Sequence, residues 1–215
     1  MTNIYGRPAK VSMKGRLFKL GVEALEREGW RVERLQGSGK SSVRKVTRGK
    51  ERKVVSIRTT QDTWIAFPRN GEDTGWQTLD EVDMVVAVSV NDPQDPKFAS
   101  VHVIDGDEMR ERFNRAYAAR VEADYRFTVG RGMWVSLYAE ERQVPVTYVG
   151  AGAGLKNPPI ATIRLESTAE AESIVTPSIP SSGAEQPPLT IAEAKRRLAI
   201  TLGVDPSSIK ITVEA

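Results

Sequence analysis

Eight lysines and arginines (Lys40, Arg44, Lys45, Arg48, Lys50, Arg52, Lys53 and Arg58) follow one another through a stretch in which Glu51 is the only acid. Like charges at this density repel one another, and a bound anion relieves the repulsion. Arginine offers phosphate oxygens a planar fork of permanent charge, and serine hydroxyls such as those of Ser42 and Ser56 donate hydrogen bonds beside it. The set expected to hold a phosphodiester is therefore Lys40, Ser42, Arg44, Arg48, Arg52, Ser56 and Arg58, with Gln61, Trp64 and Arg69 just beyond. Gln61 would meet backbone or sugar. Trp64 offers a ring on which a base stacks, worth about 1–3 kcal/mol on a single strand; it reads equally as a core or rim aromatic, as does Trp76.

Other patterns carry less chemistry. Gly37-Ser38-Gly39-Lys40-Ser41-Ser42 looks like the end of a phosphate-binding loop, but the glycine required five residues before Gly39 is Arg34, and the following segment reads as a strand instead of a helix. Gly150–Gly154 leads into Asn157-Pro158-Pro159 and reads as a turn. His102, the only histidine, lies inside an apolar strand pattern and reads as a packed residue. Asp105, Asp107 and Glu108 sit where a helix begins, which capping and the helix dipole explain. With no cysteine in the chain, disulfides, thiol catalysis and cysteine-ligated metals are excluded, as expected of a reducing compartment.

The elements that must position these residues follow from periodicity. Leu17, Leu20, Ala24 and Glu28 fall at helical spacing, predicting a helix over Ser12–Glu28 with Ser12 as N-cap and Gly29 past its end. A strand at Trp30–Leu35 and a polar turn, Gln36–Ser42, come next. Val43–Arg48 and Lys53–Thr59 form a hairpin joined by Gly49-Lys50-Glu51. In this register Val55 and Ile57 face the core, Ser42, Arg44, Ser56 and Arg58 share the other side, and Lys45 and Lys53 have the opposite parity. Thr63–Phe67 is expected to extend the sheet, and Thr78–Asp83 to be a helical turn. Met84–Val90 (MVVAVSV) has the composition of a strand buried on both faces. A strand at Ser100–Ile104, a helix to about Ala123, and strands within Phe127–Tyr138 and at Val144–Val149 complete an α/β domain over 1–165. Residues 166–188 read as a linker and 189–215 as a helix–strand unit, too small for a core of its own, for docking or dimerisation.

This order of elements resembles the core of the PD-(D/E)XK nuclease superfamily, the restriction-endonuclease-like and archaeal Holliday-junction-resolvase-like members above all, over about residues 12–123. The resemblance implies a central mixed sheet flanked by helices. It also implies a cleft in which an Asp opening one hairpin strand, and an E-x-K pair on the other, hold magnesium and position the attacking water. Here Ser41-Ser42 stand in the place of Pro-Asp and Ser56-Ile57-Arg58 in the place of E-x-K. Hydroxyls beside two arginines do not hold a divalent cation, which needs hard anionic oxygens. The site is then expected to keep DNA and to lose metal, cofactor and catalysis. An alternative keeps cleavage through relocated acids, for which Glu23, Glu26 and Glu28 on the first helix are the candidates. A third reading is a scaffold whose basic face meets an acidic protein.

Composition agrees with a polyanion on one face. The 215 residues carry a net charge of +3. The first 69 contribute +11 and the remaining 146 contribute −8. Hydrophobic residues make up 40% and no long apolar run occurs, so neither a membrane span nor a signal peptide is expected, and a cytoplasmic location is.

Overall fold

The computed structural model describes residues 8–35 and 42–165, all within Met1–Glu172, the first of two units into which the chain divides. Lys40, the linker and the C-terminal helix–strand unit lie outside the described residues.

Helix α1 (Pro8–Arg27) starts four residues ahead of the expected Ser12. Proline at a first helical position loses no intrahelical bond and has its φ already set, so Pro8 opens the helix. At the other end Gly29 takes φ +84. Its N–H donates to the Glu26 carbonyl (3.0 Å) and that of Trp30 to the Leu25 carbonyl (3.0 Å), a paired closure that needs a left-handed residue.

Three antiparallel strands follow: β1 (Arg31–Arg34), β2 (Val43–Arg48) and β3 (Glu51–Thr60). The chain then leaves the sheet for β4 (Trp64–Pro68) and a 3-10 turn at Leu79–Glu81. It returns as β5 (Met84–Val90), parallel to β3, and continues into antiparallel β6 (Phe98–Asp105). Every residue of β5 is buried, as its unbroken β-branched composition predicts. Helix α2 (Gly106–Glu122) is capped by Asp105, whose Oδ1 accepts from the N–H groups of Asp107 (2.8 Å) and Glu108 (3.2 Å).

Beyond α2 come β7 (Gly132–Ser136), a helical turn α3 (Ala153–Lys156) and β8 (Ala161–Arg164). The main sheet has six strands in the order β1-β2-β3-β5-β6-β8, and β4 pairs with β7 in a separate ribbon. This is a mixed α/β fold. α1 covers one face of the sheet, over a core that includes Leu17, Leu25, Val46, Val55, Ile57 and Val86. α2 and the ribbon cover the other, around Phe67, Trp76, Val85, Met109, Phe113 and Val135. At Gly21 the helix touches the sheet: a Cβ there would lie 2.9 Å from Val88 Cγ2 and 3.1 Å from Ile57 Cγ2. No described helix is long and apolar enough to cross a membrane.

Four expectations need correction. Thr63–Phe67 does not extend the main sheet: Thr63 takes φ +69, and that left-handed residue turns the chain out of the sheet plane. Only Gly132–Ser136 of Phe127–Tyr138 is a strand. Val144–Val149 is no strand but a turn around Val146–Tyr148, because Pro145 has no N–H for a ladder. The edge strand β8 escaped notice because its four residues alternate only weakly between exposed and half-buried.

The fourth correction bears on the site. Arg48 pairs with Glu51, so the hairpin turn holds two residues, Gly49-Lys50, with Gly49 at φ +60, and not three. One residue fewer in the turn shifts the register by one and transfers half the side chains to the other face. Ser56 lies opposite Val43, and Arg44 opposite Val55.

Candidate functional site

The corrected register separates residues expected together. Ser56 and Arg58 point to the face covered by α2 and the ribbon. Arg44 points to the α1 face, its guanidinium 4.7 Å from the Phe18 ring centre. Ser42, whose carbonyl accepts from the Ile57 N–H (2.8 Å), precedes β2 and does stay near Arg58, in the wall of one cleft. The residue of β2 that shares a side with Ser56 is Val43, fully apolar and buried. Ser56 is 0% exposed with an unpartnered Oγ, so a phosphate does not reach it from solvent.

The remaining expected contacts are dispersed. Arg48 lies 4.3 Å over the Trp30 ring and 3.4 Å from Glu51. Arg52 is exposed at the hairpin, six residues and about 20 Å along β3 from Arg58. Arg69 is only 7% exposed; its Nε donates to Asp73 Oδ1 (2.7 Å) and its guanidinium stacks on Trp76 and Tyr117. Arg69 is a packing residue. Trp76 is likewise core, with its Nε1 donating to Asn114 (2.8 Å). His102 is buried between the Asn157 carbonyl and the Tyr138 hydroxyl, each 2.7 Å away.

A cleft of about 480 Å³ opens where β3 ends. Arg58 lies in its wall with Thr60, Gln61 and Ser42; Lys10, Lys14 and Phe18 come from α1, and Trp64, Ala66 and Trp134 from the ribbon. Gln61 ties two of these elements together by donating from Nε2 to the Lys10 carbonyl (3.0 Å). Asp62 shapes the turn into β4. Its Oδ1 accepts from the Thr60 hydroxyl (2.7 Å) and the Trp64 N–H (3.3 Å). Lys10, Lys14, Phe18 and Trp134 were missed in the sequence, although spacing of four along a helix puts the first three on one face.

Arg58 differs from every other buried arginine described. Arg112 bonds to Glu108 (2.9 Å) and to the carbonyls of Gly150 and Ala151; Arg120 bonds to the carbonyls of Trp134 (2.8 Å) and Thr147 (3.0 Å). Among the described residues Arg58 makes no hydrogen bond and no ion pair. Its Nε is buried without a partner, and its only neighbour of note is the Phe67 ring, 4.2 Å from the guanidinium. Burial pushes its pKa down from the ordinary arginine range to about 10, so it stays charged at neutral pH. A charge taken out of water without a counter-ion is costly. An anion entering the cleft supplies what the chain withholds.

Among the described residues no three of His, Cys, Asp and Glu come together as metal ligands. Glu23 is paired with Lys19 (3.6 Å) and Glu26 is exposed; neither lines the cleft. No family model, no curated protein and no solved structure matches the chain.

Proposed function

We propose that this protein binds nucleic acid through its phosphate backbone, with little sequence preference, and does not cut it. The reading rests on Arg58: a charged, half-buried guanidinium without a partner among the described residues, in a cleft that two lysines also line. Its fork suits two phosphate oxygens at once. Lys10 and Lys14 add charge from α1, and the exposed hairpin cations Lys50 and Arg52 attract the same polyanion from a distance.

The resemblance to a PD-(D/E)XK core supports the choice of ligand. The resemblance rests on element order: a helix, three antiparallel strands, a strand and a helical turn, and a further strand parallel to the third. On that resemblance Ser42 stands in the place of the family's Asp and Ser56 and Arg58 in the place of its E-x-K acid and lysine, and the residue paired with Ser56 is Val43. None is a carboxylate, which argues against catalysis at the hairpin.

Arg58→Met tests the reading. Binding to duplexes and single strands of unrelated sequence should weaken about tenfold to a hundredfold, alike for each sequence. The slope of log affinity against log salt should fall by just under one, the share of a single phosphate contact. A loss confined to one sequence, or no loss, contradicts it.

A further inference from the structure

We infer that the cleft takes one unpaired nucleotide of a single strand, its base between Trp64 and Trp134 and its phosphate on Arg58. The inference rests on the phosphate-binding reading above and adds the strand form.

Its basis is the outer face of the β4–β7 ribbon. Trp134 pairs with Ala66, and Trp64 with Ser136, so the two indoles occupy diagonal positions on one side of the ribbon. Such positions lie about 7–8 Å apart, close to twice the ~3.4 Å stacking repeat of a nucleic-acid strand. The residue directly across from Trp134 is Ala66, whose short side chain leaves room in the cleft beside that ring. Gly132, beyond Trp134 on the same side of the ribbon, lets the indole lie close to the backbone: a Cβ there would lie 3.8 Å from Trp134 Nε1.

Both indoles are half-buried, and both line the cleft that holds Arg58. One face of Trp64 is stacked on Tyr148, at 6.5 Å between ring centres, and Arg142 lies over Tyr148. Trp134 Nε1 is buried and has no partner in the structure, whereas a buried indole N–H ordinarily has one.

Aromatic walls and a cation in one small cleft select against a duplex. Within a duplex both faces of each base are covered by its neighbours, and only an unpaired base can enter between two rings. The volume of about 480 Å³ lies in the range of pockets for single small ligands.

The test compares a short oligothymidylate, a duplex of the same length and thymidine monophosphate, read by tryptophan fluorescence and by anisotropy. The single strand should bind at least tenfold more tightly than the duplex and quench the indole emission. Trp64→Leu and Trp134→Leu should each weaken single-strand binding about tenfold and leave duplex binding unchanged, with folding of each variant checked by circular dichroism. Trp134→Phe keeps a ring and removes the N–H, so it should retain most of the affinity even where the leucine variants fold poorly. Equal affinity for both strand forms, or leucine variants that fold and bind normally, overturns the inference while leaving the loss in Arg58→Met to uphold phosphate binding. Monophosphate binding as tight as the oligonucleotide overturns the strand and points to a free nucleotide. No binding of any of the three overturns both readings.

Discussion

Arg58→Met is expected to stabilise the fold by about 1 kcal/mol or more while it weakens nucleic-acid binding. Replacing a buried charge by an apolar side chain of similar length is often neutral or stabilising, and Arg58 has no described hydrogen bond to lose. Methionine also keeps a side chain against Phe67. The pH dependence has a definite sign. With a folded pKa lowered to about 10, the unfolded chain holds more protons than the folded one from there up to the ordinary arginine range. Stability attributable to Arg58 therefore rises with pH across that window, its cost being fully present below it. The stabilisation gained by Arg58→Met should accordingly be largest at neutral pH and shrink as the pH passes 10. Urea unfolding of both proteins at pH 7 and above 10 measures this difference; a variant less stable at neutral pH would mean that Arg58 serves packing.

The same substitution at Arg112 should do the opposite. Arg112→Met leaves Glu108 and Glu141 without the guanidinium that lies 2.9 Å and 3.8 Å away, and it orphans the carbonyls of Gly150 and Ala151. Lys156, at 3.4 Å from Glu108, and Arg115, at 3.0 Å from Glu141, retain part of the compensation. Breaking a buried pair on one side costs about 3 kcal/mol or more, which for a domain of this size lowers the melting temperature by about 6–12 °C. The loss would be aggravated by the backbone here: Gly150, at φ +79, packs so closely on the Arg112 carbonyl that a Cβ would collide with it, leaving little room to relax. Thermal unfolding followed by circular dichroism measures the shift. An unchanged melting temperature would show that Arg112 is as dispensable to the fold as Arg58.

Local features were legible where local chemistry decides them. The β-branched run Met84–Val90 announced a central strand, and Asp105 announced a cap. Gly29 announced the end of α1. The hairpin was legible as a hairpin, but its face assignment depended on whether the turn contained two residues or three. That one residue sent Arg44 to the α1 side and put Val43 beside Ser56.

Arg58 was identifiable as basic and near a ligand, but its isolation was not. That isolation is a property of what surrounds it: the Phe67 ring lies against the guanidinium, and Asp62, which lines the same cleft, is bonded to Thr60 and the Trp64 N–H and not to Arg58. Arg69 illustrates the converse. Its charge resembled that of Arg58, yet Asp73 four residues on and two aromatic rings had already engaged it. The cleft itself joins α1, β3 and a ribbon whose second strand begins more than sixty residues after its first, a pairing that no local pattern encodes.

The Arg58 Nε–H resonance tests the central claim most directly. Because this donor is buried and unpartnered, its nitrogen–proton signal should be observable by NMR and absent from spectra of Arg58→Met. Titration with a short oligothymidylate should move that signal in a saturable manner, with the shift reversed by salt, as phosphate pairing at the adjoining guanidinium nitrogens requires. A signal that stays in place while resonances of the hairpin cations move would locate the nucleic acid elsewhere and contradict the account.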